Sequence, residues 1–275
     1  MFSKGLTSLI GLLTSITFLC VSCAAPVQTS APSHTSIGEE RFHKGERAVI
    51  IDILRQSRDE MLNKNLDMAL NTANLAKEKS EALQDNLMRY SSTLWASMIA
   101  LLMKNTAKAV DYSSMDYLKD ENIENLFYNY LLVMYDLNAF DLKDKRLINT
   151  LLSFQLSDKD LISKGSMIAD GLRKGGETKL ADLIEKLFKS YAGLIKGTID
   201  QDSSSLVVNK RKTMESADEI VSITETQKME KEMSTVLKVL ALYIKLIVVG
   251  SERDMALYEK TAKRFAGTFS LLQKK

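Results

Sequence analysis

The chain has 275 residues, with 37 Lys and Arg against 35 Asp and Glu. A net charge of +2 offers no basic surface of the kind that binds nucleic acid, so a nucleic-acid partner is not expected. The two His and two Cys all lie at or before His43. The rest of the chain therefore lacks the base of Ser-His-Asp and Cys-His nucleophilic sites, and the ligands of Cys- or His-based zinc sites.

Residues 1–22 have the layout of a secretory signal peptide. Lys4 supplies a positive charge, an apolar stretch runs over residues 6–21, and small residues surround Cys23. A charged start, a short apolar segment and small residues at the cut site define such a signal. The apolar stretch is too short, and too rich in Ser and Thr, for a membrane span.

The end of this segment resembles the bacterial lipoprotein signal, which closes in a Leu-x-x-Cys box. Val21 and Ser22 fit that box, whereas Cys20 stands where Leu is usual. The resemblance implies cleavage after Ser22 and acylation of Cys23, which also leaves the mature chain without a free thiol. Ala24, in place of Asp, implies the outer membrane, facing the periplasm or the exterior, over the inner membrane. The alternative is an ordinary cleaved signal that ends near Ala24 or Ala25.

Residues 23–44 form the predicted lipid anchor and flexible tether. The stretch is rich in small and polar residues and holds both prolines of the chain, Pro26 and Pro32. Such a composition buries too little apolar surface to fold. We therefore expect the folded body to span residues 45–275.

The body is predicted to be all-α, built of antiparallel helical hairpins stacked as an array or as an irregular bundle. It contains no proline, and apolar residues recur at i, i+3 and i+4, as on one face of a helix. Asn and Asp in 63–65, 85–86 and 120–122, and the pair Gly175–Gly176, indicate helix ends. Later helices are expected over 143–155, 158–173, 177–197, 211–249 and 252–272, with a candidate subdivision near 200–210.

A short phrase recurs along the body. Residues 64–70 read Lys-Asn-Leu-Asp-Met-Ala-Leu, and residues 104–110 read Lys-Asn-Thr-Ala-Lys-Ala-Val, forty positions later. The first phrase resembles the turn and second-helix start of a tetratricopeptide repeat, with Ala69, Ala73 and Ala76 at that family's close-packing positions. The resemblance covers about residues 48–118, although the family's period is about 34 residues. It implies stacked hairpins that present an extended surface to a partner.

Residues 236–249 are apolar almost all round. The segment is shorter than the roughly 20 residues of a membrane span. Lys238 and Lys245 lie seven positions apart and so share one face of a helix. We therefore predict a core helix with one wet edge, and a membrane segment is the alternative.

Aromatic residues are concentrated between Tyr112 and Tyr135. Tyr128, Tyr130 and Tyr135 are candidates for an aromatic-lined groove that takes a peptide or a small ligand. The alternative is that these rings serve core and inter-helix packing.

Two sets of charged residues are further candidates. Lys210–Lys212 is a dense basic run that could contact an anionic lipid headgroup or a cell-wall polymer, or else lie in a solvated helix start. A carboxylate-based hydrolase would need two carboxylates facing each other, which neighbours on a helix do not do. The neighbouring carboxylates are Asp59–Glu60, Asp120–Glu121 and Asp218–Glu219.

Taken together, these features predict a non-enzymatic, lipid-anchored helical-repeat adaptor of the cell envelope. Its expected partners are the membrane, through the lipid at Cys23, and an envelope protein, and no metal or cofactor is expected. One alternative is a lipoprotein that binds a small ligand and partners a transporter. Another is a cell-wall hydrolase that uses paired carboxylates.

The lipid site yields a direct test. Cells that produce the chain and are fed labelled palmitate should incorporate the label into it, and Cys23→Ala should abolish the incorporation. Cys20→Ala is the matched control and should retain labelling. Label that persists in Cys23→Ala would rule out acylation at that residue.

Overall fold

The computed structural model describes residues 37–118, 121–144, 146, 158–227 and 229–273. These residues form ten α-helices and one short 3-10 helix, and no strand occurs among them. The predicted all-α class of packed helical hairpins is thus confirmed. The described chain divides into two compact units, one ending at Ala139 and the other beginning at Phe140. The predicted signal peptide and Cys23 lie outside the described residues, and the subdivision near 200–210 stays a prediction.

The N-terminal unit contains five α-helices and a 3-10 helix; each of the first three α-helices packs on the next, and the fifth packs on the third. The first begins at Ile37, inside the stretch 23–44 that the sequence predicts as a tether. That stretch contains no proline after Pro32. The helices are α1 Ile37–Leu62, α2 Leu66–Ala82, α3 Asn86–Leu102, α4 Thr106–Ser113, the 3-10 helix Asp116–Leu118, and α5 Ile123–Asp136.

The turns after α1, α2 and α3 have one geometry, repeated every twenty residues. Lys64, Gln84 and Lys104 all have positive φ, between 54° and 65°. In each turn the next backbone N–H donates to a carbonyl in the last turn of the preceding helix, which closes that helix end. These bonds are Asn65 to Glu60, Asp85 to Ser80 and Asn105 to Ala100, at 2.9–3.0 Å. The predicted turns at 63–65 and 85–86 are therefore confirmed.

The two hairpins of this unit also share a buried side-chain hydrogen bond. Ser57 Oγ on α1 donates to the Ala69 carbonyl on α2 at 2.6 Å. Forty positions later, Ser97 Oγ on α3 donates to the Ala109 carbonyl on α4 at 2.9 Å. Trp95 Nε1 on α3 donates to Ser57 Oγ at 3.0 Å and so joins the second hairpin to the first. The repeated phrase in the sequence thus corresponds to a repeated geometry.

The small residues on α2 lie in the core of the unit. Ala69, Ala73 and Ala76 are fully buried, and α2 packs against both α1 and α3. Larger side chains at these positions would push the neighbouring helices apart, because protein interiors are already close-packed.

The second unit is a run of five helices, each packed on the next in chain order. The expected single helix over 211–249 is wrong, because two helices cover this range and the first of them ends at Thr226. That first helix also begins earlier than expected, at Ser203, where Asp202 caps its N-terminus. The expected helix over 143–155 lies mostly outside the described residues, and the other three are confirmed. The helices are α6 Asp158–Lys174, α7 Thr178–Asp200, α8 Ser203–Thr226, α9 Lys231–Glu252 and α10 Met255–Gln273.

Helix α9 contains the apolar segment 236–249, and the prediction of a core helix is confirmed. In the described part of the chain it is the one helix long and apolar enough to cross a membrane, yet most of it is buried. It packs between α8 and α10. The expected solvent-exposed edge at Lys238 and Lys245 is not found. Both side chains are largely buried and form ion pairs with carboxylates on α8.

Gly165 on α6 makes room for α7. A Cβ at this position would lie 2.5 Å from Phe188 Cβ, which is too close for two carbon atoms. We predict that Gly165→Ala lowers the free energy of unfolding by about 1–3 kcal/mol through this overpacking. Urea denaturation of the purified chain measures the change.

Gly171→Ala on the same helix is the matched control. No atom lies within 4 Å of a Cβ built there, so this variant should be neutral or more stable by about 0.5–1 kcal/mol, as expected for Gly to Ala in a helix. Equal effects of the two substitutions would contradict the close contact between α6 and α7.

Candidate functional site

A cavity of about 470 Å³ opens in the N-terminal unit between α2, α3, α4 and the 3-10 helix. Its volume lies within the range of about 300–1,000 Å³ typical of small-ligand sites. The cavity lies where the second hairpin is shortened, since α4 has 8 residues and its counterpart α2 has 17. Three residues that follow the early end of α4 also line the cavity: Ser114, Asp116 and Tyr117.

Two cations on one side of the cavity lie against aromatic rings. The Arg89 guanidinium carbon is 3.7 Å from the centroid of the Tyr117 ring, and Lys77 Nζ is 6.0 Å from that of Tyr112. These are cation–π distances. Tyr112 Oη donates to Asn74 Oδ1 at 2.8 Å, which holds its ring in place. The rings thereby orient both cations.

Glu81 forms ion pairs with both cations, at distances longer than a close hydrogen bond. Its Oε1 is 3.3 Å from Arg89 Nε and 3.7 Å from Lys77 Nζ. Arg89 Nε is buried and has no partner in hydrogen-bond geometry within the described part of the chain. Arg89, a lining residue of the cavity, therefore has an ion pair with Glu81 and an Nε–H that no described group accepts.

Thr93 forms the most buried part of the lining. It is 3% exposed, and its Oγ1 has no hydrogen-bond partner among the described residues. Leaving such a group unsatisfied costs about 1–3 kcal/mol. The hydroxyl can both donate and accept, so it complements a polar group placed in the cavity.

The outer side of the cavity is acidic. Asp111 and Asp116 line it together with Ser114, and all three residues are exposed. Neither carboxylate forms an ion pair with another residue of the described ranges. The cavity thus has a buried side with N–H and O–H donors and an exposed side with two carboxylates.

The predicted aromatic site is placed differently from this cavity. Tyr130 lies in the core, where its ring meets Tyr90 edge-on at 5.9 Å and stacks on Phe127 at 6.0 Å. Tyr128 and Tyr135 are half-buried on α5, and their predicted binding role stays a prediction. The polar lining of the cavity was not found from the sequence, because its residues come from separate helices and form no motif.

The candidate carboxylate pairs point apart, as neighbours on a helix should. Asp218 pairs with Lys245 on α9 at 2.5 Å, whereas Glu219 pairs with Lys179 on α7 at 3.0 Å. Glu60 accepts from Thr72 Oγ1 at 2.7 Å, and Asp59 pairs with Arg58 at 2.7 Å. Asp120 lies outside the described residues. No facing carboxylate pair results from these residues.

The basic run lies inside α8 and is partly used in ion pairs. Lys210 pairs with Glu252 at the end of α9, and Arg211 lies 3.8 Å from Glu215 one turn along its own helix. Among the described residues no group of three His, Cys, Asp or Glu side chains could hold a metal ion.

No known family matches the chain, and no curated protein or solved structure shows significant similarity to it.

The ion pairs of the second unit predict a pH dependence. Lys238 Nζ, 2.5 Å from Glu225 Oε1, and Arg264, 2.9 Å from the same oxygen, lower the pKa of Glu225, chiefly through the hydrogen bond from Lys238. A carboxyl with a lowered folded-state pKa stabilises the fold above its unfolded pKa of about 4.3, and loses that contribution as pH falls through the folded value.

We therefore expect Glu225→Gln to lower the free energy of unfolding at pH 7 by about 1 kcal/mol or less, since this carboxylate is partly exposed. The difference from wild type should shrink as pH falls below about 4. Urea titrations at several pH values measure it, with Glu259→Gln on exposed α10 surface as the control. A difference that persists unchanged at pH 3 would show that charge pairing is not its source.

Proposed function

We propose that the protein is a non-enzymatic binding protein of the cell envelope, anchored by lipid at Cys23, whose N-terminal unit binds a partner protein. The observation that carries this proposal is the pair of repeated hairpins, with equivalent bonds at Ser57 and Ser97. Stacked helical hairpins form extended surfaces that suit a partner segment.

Helix α2 is the proposed contact surface. Met68 and Leu75 lie on it seven positions apart, and hence on one face, and they are 56% and 45% exposed. Large apolar side chains gain free energy when a partner removes them from water. Both belong to the helix of the repeated phrase, which the sequence also singled out.

The anchor places this surface at a membrane. Acylation of Cys23 would tether the folded body through the stretch that precedes α1, and more than one acyl chain is needed for durable attachment. The outer membrane, facing the periplasm or the exterior, is the proposed location because Ala24 follows the Cys.

A second candidate function is small-ligand binding, as in a lipoprotein that serves a transporter. The cavity beside α4 favours it, since the buried Thr93 hydroxyl and the buried Nε of Arg89 belong to residues that line it. A carboxylate-based cell-wall hydrolase has no comparable support, because the described candidate carboxylates engage separate partners.

Site-specific crosslinking tests the adaptor function. A photoreactive amino acid is placed at position 68 of the full anchored chain in its own membrane, and adducts are identified by mass spectrometry. We expect a reproducible protein adduct at position 68, which Leu75→Glu in the same chain should abolish.

The matched control carries the photoreactive group at position 207 on α8. Val207 is 69% exposed but belongs to the other unit, so it should not capture the same protein. No adduct at position 68, or the same adduct at both positions, would overturn the proposed surface on α2.

A further inference from the structure

The two sides of the cavity carry opposite chemistry. The buried side offers Arg89 Nε and Thr93 Oγ1 together with the half-buried Lys77, and the exposed side offers the carboxylates of Asp111 and Asp116. Counting Glu81, the surrounding charges are two positive and three negative. A ligand that matches only one side leaves the other unsatisfied.

A simple anion fits this arrangement poorly. Arg89 and Lys77 would attract it, but it would leave the carboxylates of Asp111 and Asp116 without a positive partner. A simple cation would meet the carboxylates on the outer side and leave Arg89 Nε and Thr93 Oγ1 without a hydrogen-bond acceptor. Because an unmet buried donor costs free energy, neither class uses the whole cavity.

We propose that the cavity binds a small zwitterion, namely a free amino acid or a short peptide with both termini free. Its carboxylate accepts hydrogen bonds from Arg89 and Thr93 on the buried side, with Lys77 nearby. Its ammonium meets Asp111 and Asp116 on the exposed side. Hydrogen bonds between charged partners are the strong ones. This inference rests on the second candidate function, small-ligand binding, and names a ligand for the cavity.

The aromatic rings supply the third element of recognition. Tyr112 and Tyr117 line the cavity, and their rings offer apolar surface to the body of the ligand. Each ring already has a cation near it, which keeps that cation in position before a ligand arrives. A site organised in advance loses less entropy on binding.

Calorimetry on the full chain in detergent tests the proposal. The probes are L-alanine, Ala-Ala and Ala-Ala-Ala, each also with the amine acetylated and with the carboxylate amidated. We expect at least one free probe to bind with a Kd of about 1 mM or tighter. Acetylation or amidation should each raise the Kd of that probe at least tenfold, since each removes one of its two charges.

Two variants separate the two sides of the cavity. Asp111→Asn/Asp116→Asn should weaken the free probe about tenfold and remove the penalty of acetylating its amine. Thr93→Val keeps the side-chain shape without the hydroxyl and should weaken the free and acetylated probes alike. Asp136→Asn, an exposed residue of α5 in the same unit, is the control and should bind as wild type does.

Three results would overturn the inference. They are no binding of any free probe up to about 10 mM, equal binding of free and capped probes, or unchanged binding in Asp111→Asn/Asp116→Asn. The crosslinking at position 68 is independent of these titrations. A protein adduct without peptide binding would therefore reject the ligand and keep the adaptor, and the reverse would favour the small-ligand function.

Discussion

The packing of the N-terminal unit depends on the turn geometry that is repeated after α1, α2 and α3. A non-glycine residue in the left-handed region costs about 1–2 kcal/mol, and Lys64, Gln84 and Lys104 all adopt it. Backbone hydrogen bonds that close the preceding helix offset this cost, and Asp85 and Asn105 also accept from the next helix start. Because the turns are short, successive helices run antiparallel and pack on each other. The twenty-residue spacing then brings equivalent positions of the two hairpins to the same depth, as at Ser57 and Ser97.

The cavity lies where the repeated hairpin geometry ends. Helix α4 ends at Ser113, about half as long as α2, so the space beside α2 and α3 is closed by the segment that follows. That segment contributes Asp116 and Tyr117, while α2 and α3 contribute Lys77 and Arg89. The shortened repeat therefore supplies the polar pocket on which the proposed ligand binding depends, and the exposed face of α2 remains available to a protein partner.

In the second unit, the apolar helix α9 is buried beside the more polar helix α8. Helix α9 places Lys238 and Lys245 against Glu225 and Asp218 of α8, and both pairs of residues are seven positions apart. In an antiparallel pair this spacing lets both ion pairs form in one register, whereas a shift by one turn would separate both. Ion pairs with exposed carboxylates contribute little net stability, but these pairs disfavour the shifted register because it leaves the lysines without partners. The remaining surface of α9 is then free to pack against α10.

The sequence by itself determined the local features. The all-α class, the helix ends at 63–65, 85–86 and 175–176, and the forty-residue recurrence follow from backbone preferences and capping, which act over a few residues. The tertiary structure alone decided which polar residues meet. Arg89 reaches Tyr117, Tyr112 reaches Asn74 and Lys245 reaches Asp218 across 27–38 positions, and no local pattern encodes such contacts. It also divided the expected helix 211–249 at Gln227, where the backbone becomes extended without Pro or Gly. That break lets α9 fold back on α8, and the free energy of burying α9 outweighs the helix propensity of the segment.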